Sequence, residues 1–287
     1  QYKMAINLSK AASKIYIAGD DDQAIFGWAG ADIRKFLSLK GNRIVLPQSY
    51  RTPSSIHNFS KLICSRIKTR YDKEWNPREE RGNVEWVAHE EELDLSGGES
   101  WMLLSRSKFF LTRFKKICQQ QGFAYKMFGA SSTDTSETRA IISWESLRKG
   151  KSISVSEAKN LIQFIPTKIK LPDLQSYTLK DFGFGSDAKQ HNWMTMLRNI
   201  APDEREYLRA CLHNGEKFGD EPRITISTIH QVKGGEADNV ALVTDMGGLS
   251  WKASATDEEI RVWYVAATRA RKNLFLVRPR TLKFFDM

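Results

Sequence analysis

Arg51 and Arg269 stand where a guanidinium has chemistry to do. Arg51 lies in LPQSYRTP (Leu46–Pro53), after an apolar run and just ahead of a Thr-Pro helix start. In parallel α/β sheets ligands bind beyond the carboxyl ends of the strands. There Arg51 can meet a phosphate and Tyr50 can cover a flat ring; a surface arginine beside a helix-capping turn is the plainer alternative. Arg269 lies in EEIRVWYVAATRARKNLFLV (Glu258–Val277). At helical spacing it shares a face with Val262, Val265 and Ala266. A guanidinium on an apolar stripe needs an anionic partner or carries a desolvation cost. That partner is either a carboxylate within the fold or a nucleotide phosphate.

Two further stretches break the ordinary pattern. GDDDQAIFGWAG (Gly19–Gly30) sets Phe26 and Trp28 in a glycine-flanked segment, where large rings would be exposed at a loop. Exposed aromatics in a basic protein can stack on nucleic-acid bases, worth about 1–3 kcal/mol per base; packing in the core is the alternative for either ring. The acidic run Asp20–Asp22 reads as a solvated turn rather than a metal site. On an extended chain, successive carboxylates point to opposite sides and cannot converge on one cation. TISTIHQVKGGEADNVALVTD (Thr225–Asp245) runs a strand into His230, Lys233 and the pair Gly234-Gly235, which allow close backbone approach to a ligand. His230 has no partner for zinc, and Cys211 with His213 supplies only two ligands, so that pair reads as solvated. No G-x-x-x-x-G-K-[ST] phosphate loop occurs anywhere in the chain.

These residues need a scaffold. Short apolar runs without alternation read as strands covered on both faces: Ile15–Ala18, Ile44–Leu46, Trp101–Leu104, Ile224–Ser227, Val240–Val243 and Leu274–Val277. Helices separate most of them. Thr52-Pro53 caps one through about Ile67, and Ser107 caps another ending at Gly122. Thr256 and Glu259 form a capping box for a third, reaching about Lys272. The alternation predicts an α/β, doubly wound parallel sheet with helices on both faces. From about Thr133 to Asp220 the signals are helical, over Ser136–Arg148, Ser156–Ile165 and a helix led by Pro202, which predicts a mostly helical insertion.

The totals set the class. A chain of 287 residues is long enough for about two domains, and 41% hydrophobic with 27% charged residues describes a soluble globular protein. The net charge of +10 favours a polyanionic partner. The excess is uneven, with 13 Lys/Arg against 6 Asp/Glu over residues 1–75 and 7 against 1 over 261–287. Three scattered cysteines, Cys64, Cys118 and Cys211, fit no disulfide framework and point to a reducing, cytoplasmic setting, with Cys64 and Cys118 buried on helices. There is no signal-peptide pattern and no run of 18 apolar residues. The chain opens without Met in a helical pattern, so it is expected to be a piece of a longer protein.

Taken in order, GDDDQAIFGWAGA, LPQSYRTP, STIHQVKGGEADNV and EEIRVWYVAATRARKNL resemble motifs III, IV, V and VI of superfamily 1 DNA helicases of the UvrD/Rep type. WMLLSRSKFFLTRFKKICQQQGFAYKMFGA is similar to the strand-helix unit after motif IV. In such helicases two RecA-like domains clamp ATP and advance single-stranded DNA. The resemblance implies a division into residues 1–40 (tail of the first RecA-like domain), 41–132 and 221–287 (second RecA-like domain), and 133–220 (a reduced, mostly helical accessory subdomain). It implies that Gln23, Arg51 and Arg269 serve the γ-phosphate and catalysis. Tyr50 would stack on adenine, Glu236 would reach the ribose or metal region, and Gly235 would belong to the nucleotide-binding set. Phe26, Trp28, Thr228 and His230 would face DNA.

The complete protein would be an ATP-dependent helicase or translocase of 3′→5′ polarity, using ATP with Mg²⁺, in a bacterial or phage-like cytoplasm. Its partners would be single-stranded DNA, or a single-strand/duplex junction, and the missing N-terminal RecA-like domain. No membrane is implied. The phosphate loop and the DExQ segment are absent, so this chain alone is expected to be inactive and to bind no cofactor tightly. The insertion is shorter than in typical members, and Phe26 stands where Tyr is common. The alternative is a non-catalytic DNA-binding or protein-interaction module on a helicase-type domain.

Overall fold

The computed structural model describes Asn7 and residues 12–287. In chain order the strands are β1 (Gln48–Pro53), β2 (Asn76–Arg78), β3 (Asn83–Val87), β4 (Trp101–Ser105), β5 (Tyr125–Met127), β6 (Ala130–Ser131), β7 (Ile153–Ser154), β8 (Ser176–Tyr177), β9 (Ile224–Thr228), β10 (Ala237–Val243) and β11 (Ala270–Val277). The α-helices are α1 (Ile33–Leu37), α2 (Ser54–Cys64), α3 (Leu111–Gln121), α4 (Ser136–Arg148), α5 (Val155–Leu161), α6 (Trp193–Met196), α7 (Pro202–His213), α8 (Gly248–Lys252) and α9 (Asp257–Ala267). This is a mixed α/β structure with mostly parallel strand pairing, as a RecA-like helicase domain requires. It divides into two compact units.

The first unit comprises residues up to Leu93, Glu99–Thr112 and Ser227–Met287. Its strands lie in the order β3-β11-β10-β4, all parallel. The register sets Leu274 beside both Val84 and Val240, and Val240 beside Met102. Central β10 is buried along nearly its whole length. Both its faces are covered, which is why ADNVALV carries no polar alternation. Helices α2 and α9 pack together. Ile56, Ile63, Val262, Trp263 and Val265 from these helices join Leu274 and Leu276 in one core. Each such buried side chain contributes about 1.5–3 kcal/mol. Strands β1 and β2 form a separate parallel pair.

The second unit comprises Asp94–Gly98 and Arg113–Ile226. Here β5 pairs in parallel with Ile224–Ile226 of β9 and antiparallel with β6. Helices α4 and α5 pack together, and α4 is capped reciprocally by Thr135 and Thr138. Its Trp144 is fully buried and donates its indole N–H to His191 O at 3.1 Å. Helix α3 stops where expected: Gly122 has φ 72°, and a Cβ there would meet the Ala210 Cβ at 2.5 Å. Conformation and space both demand glycine at that position.

Several expectations are corrected. Ile15–Ala18 and Ile44–Leu46 are not strands, and Leu46 is 82% exposed. An apolar run becomes a buried strand only beside a partner, and none pairs with either run among the described residues. The helix expected after Thr52-Pro53 does start here, but one residue later and ending at Cys64: Thr52 belongs to β1 instead of capping, and Pro53, extended at ψ 163°, is the N-cap of α2 with no side-chain cap bond. Ser107 precedes a short 3-10 turn, Lys108–Phe110, and makes no side-chain cap. Helix α9 ends at Ala267 rather than near Lys272, because pairing with β10 draws Ala270 onward into β11. Arg269 therefore sits just past the helix and not on its face. Cys211 is buried while His213 is exposed, so they are not a solvated pair. All three cysteines are buried as free thiols.

Candidate phosphate site and aromatic patch

The acidic run is the first surprise. Asp21–Gln23 is a 3-10 turn capped by Asp20, whose carboxylate accepts from the Asp22 N–H at 3.1 Å. That turn brings together carboxylates that an extended chain would splay apart. The three lie within 4.8 Å of one another. Lys73 bonds to Asp21 and reaches Asp20 at 3.3 Å and Asp22 at 2.7 Å. Arg70 adds a bidentate contact to Asp22, at 3.0 and 2.9 Å. The Tyr71 N–H donates to Asp21 at 2.6 Å, and Arg261 Nε donates to the Asp21 carbonyl at 2.8 Å. Asp21 and Asp22 are thus buried rather than solvated. Burial raises the pKa of Asp22, but the bonds from Arg70 and Lys73 outweigh it and hold that carboxyl below the ordinary range. Burial opposes the charge on Lys73 too, and its carboxylate partners again win, raising its pKa.

This turn orients Gln23. Its Nε2 donates to Asp20 Oδ2 at 2.6 Å, and its Oε1 accepts from Arg269 Nη2 at 3.0 Å. Arg269, only 1% exposed, also donates Nε to Val265 O at 3.0 Å and Nη1 to Gly235 O at 3.1 Å. All three acceptors are neutral. The carboxylate that would have given Arg269 a purely structural role does not hydrogen-bond to it. Burial, followed by repulsion from Arg51, lowers its pKa to about 10. Arg51 itself, half-buried on β1, has a buried Nε without a hydrogen-bond partner. Two neighbouring cations with an unspent donor can receive an anion, and planar guanidinium forks suit phosphate geometry.

The residues around them are placed unevenly. Tyr50 is 87% exposed beside Arg51, its ring open to a partner. Gly234 has φ 93°, the left-handed region that favours glycine, and turns the chain so that Gly235 O meets Arg269. Glu236 is held by Arg271 at 3.0 Å in a pair open to solvent.

A second cluster lies in the same unit. Phe26 makes edge contacts with Trp28 at 6.0 Å and with His230 at 6.2 Å, and Lys233 stands 5.0 Å from its ring centre. Trp28 is 74% exposed. Burial first, then the Arg106 charge, lowers the pKa of His230 to about 4, so it is neutral at pH 7. Thr228 is set apart: it is buried, and its hydroxyl donates to Gln231 at 3.0 Å. Sequence reasoning missed Arg70 and Lys73. The available signal was an uncompensated acidic run and a basic stretch, TRYDK, that had no other assignment. It also missed that Glu259 would leave its capping box to grip Arg106 at 2.7 and 3.0 Å.

Parts of the chain match known helicases. Residues 186–280 match the UvrD-like helicase C-terminal domain, and residues 1–43 match the UvrD/REP helicase N-terminal domain. DNA helicase II of Haemophilus influenzae is 36% identical over 87 residues, 29% of this chain and 12% of that protein. The ATP-dependent DNA helicase PcrA of Staphylococcus aureus is 33% identical over 78 residues, 25% of this chain and 11% of the relative. The ATP-dependent DNA helicase Rep of Buchnera aphidicola is 36% identical over 70 residues, 23% and 10% respectively. The matched stretches thus span about a tenth of these relatives' lengths. No helix among the described residues is long and apolar enough to cross a membrane.

Proposed function

The chain belongs to the UvrD/Rep-type DNA helicases of superfamily 1, and on that premise we propose that the complete protein couples ATP hydrolysis to 3′→5′ movement on single-stranded DNA. The observation that carries the ATP part is Arg269, buried against three neutral acceptors and beside Arg51 with its unpartnered Nε. A polyphosphate would supply the direct anionic hydrogen-bond partner that this pair lacks. The residues fit phosphates and not a metal: the one cluster of acids among the described residues, Asp20–Asp22, already surrounds Lys73. In the complete protein Mg²⁺ would accompany ATP, and these residues would hold phosphate and not the metal.

In this reading Arg51 and Arg269 bind the terminal phosphate and stabilise the charge that develops on it, while Gln23 fixes Arg269. Tyr50 covers the adenine ring, and Gly235 and Glu236 lie towards the ribose. Phe26, Trp28 and His230 offer a stacking surface to the bases, with neutral His230 acting as a flat ring rather than a cation. Thr228, buried and bonded to Gln231, does not join that surface. Gln23 and Phe26 are three residues apart, so one loop serves both nucleotide and DNA.

Replacing Arg51 or Arg269 by Ala in the complete protein should cut DNA-stimulated ATP hydrolysis by about 10³-fold or more, with the circular dichroism spectrum unchanged. Normal turnover in both variants would overturn the assignment and favour a non-catalytic DNA-binding or protein-interaction module.

A further inference from the structure

The Lys73 ammonium, 14% exposed on its side chain, touches three carboxylates, and one of them leads onward. Asp21 and Asp22 are also held by the Tyr71 N–H and by Arg70. Asp20 is the most exposed of the three, at 32% of its side chain. Its Oδ2 accepts from Gln23 Nε2 at 2.6 Å, and Gln23 Oε1 accepts from Arg269 Nη2 at 3.0 Å. The chain of side chains Lys73–Asp20–Gln23–Arg269 therefore alternates cation, anion, amide dipole and cation.

From this alternation we infer that Lys73 is a positioning residue for Arg269, acting by fixing which way the Gln23 amide points. The inference rests on the phosphate-site reading of Arg269. The two ends of a carboxamide have nearly the same shape but opposite hydrogen-bonding character. Flipped, Gln23 would turn an NH₂ donor towards a guanidinium that has only donors. The Asp20 carboxylate excludes that state because it accepts and never donates. Lys73 anchors Asp20 where it can do so. Without Lys73, the Asp20 carboxylate, one-third exposed, keeps only the Asp22 N–H on its Oδ1; its Oδ2 is then drawn towards water, and the amide is free to turn. Arg269 then loses its third acceptor and swings away from the position where, beside Arg51, it meets phosphate.

Two variants separate this role from simple packing. Lys73→Met removes the anchor but also strips two buried carboxylates of a partner. Asp20→Ala breaks the same chain while leaving Asp21 and Asp22 with Lys73, Arg70 and Tyr71. In a ¹⁵N-labelled sample of the chain, the Gln23 side-chain NH₂ should give two well-separated resonances with slow exchange. Exchange should quicken by about tenfold in Asp20→Ala, the scale of one lost charge-assisted hydrogen bond. Lys73→Arg should keep the slow exchange.

In the complete protein, Lys73→Met and Asp20→Ala should lower kcat for ATP about tenfold with little change in KM, and Lys73→Arg should recover most of it. Unchanged Gln23 exchange in folded Asp20→Ala would overturn the inference, as would unchanged kcat in a protein whose Gln23 amide had become mobile. If the unaltered complete protein hydrolyses no ATP while Gln23 exchange still depends on Lys73, the ATP reading fails and the positioning of Gln23 stands.

Discussion

Gln23 and Arg269, 246 positions apart in sequence, meet through a 3.0 Å hydrogen bond in which an amide oxygen takes the place a carboxylate would normally fill. The contrast with Arg106 gives that bond its meaning. Arg106 is gripped on two nitrogens by Glu259, the arrangement expected of an arginine that serves the fold. Arg269 is more deeply buried and has no such partner. One unit therefore holds a guanidinium paired directly with a carboxylate and another that hydrogen-bonds only to neutral oxygens, with Glu236 and Asp20 acting on it from further away. Burial alone does not tell them apart; the chemistry of the acceptor does.

Arg106 and Glu259 predict a stability effect separate from the phosphate site. Glu259 is buried and also accepts from the Trp263 indole N–H at 3.2 Å. Glu259→Ala leaves a guanidinium without its counter-charge and should cost about 3 kcal/mol, at the low end for a buried pair because the Arg106 side chain is 23% exposed. The double change Arg106→Leu with Glu259→Leu should cost markedly less, since neither charge is then stranded. Urea unfolding of the three proteins measures this; equal losses in the single and double variants would refute it.

The same contrast separates what the sequence discloses from what it conceals. Runs such as WMLLS and ADNVALV are legible as strands because burial on both faces leaves no room for alternation. Ser136–Arg148 and Pro202–His213 are legible because caps and an N-terminal proline are local signals. Arg51 is legible as a candidate from its place between an apolar run and a helix start, and Arg269 from the apolar stripe that surrounds it in sequence. Pairing at long range is not legible. Nothing local says that Asp20–Asp22 would curl into a 3-10 turn and enclose an ammonium about fifty residues away. Nor does an apolar run such as Ile15–Ala18 declare whether a strand lies beside it.

His230 predicts a pH dependence. Its imidazole titrates near the ordinary 6.5 in the unfolded chain and about 4 in the folded one. Between those values the unfolded chain takes up a proton that the folded protein refuses. The contribution is therefore whole above pH 6.5, falls as acid is added, and is spent near pH 4. The Asp22 contribution has the same sign but is lost only below its ordinary value of 3.8, so the two windows do not overlap. Between pH 7 and 5, unfolding free energy should drop by on the order of 1 kcal/mol more in the unaltered chain than in His230→Asn, after discounting for partial exposure. Identical pH slopes in the two proteins would contradict this.

Trp28 tests the DNA face without disturbing the fold. Its ring is 74% exposed, and its one ring partner among the described residues is the edge of Phe26 at 6.0 Å. Removing it strips little from the core, so the melting temperature of Trp28→Ala should stay close to that of the unaltered chain. If the ring stacks on a base, the substitution should weaken binding of a labelled single-stranded oligonucleotide by about 1–3 kcal/mol, roughly ten- to hundredfold in Kd. Trp28→Phe should retain much of the affinity, since the stacking face survives. Fluorescence anisotropy on the complete protein at fixed salt reads this directly, because the phosphate contribution is then constant across variants. Coupling offers a second readout: with Trp28 gone and the phosphate arginines intact, ATP should still be hydrolysed on DNA while fewer base pairs are opened per ATP. Unchanged affinity together with unchanged unwinding would remove Trp28 from the DNA surface and leave it an exposed ring without a nucleic-acid role.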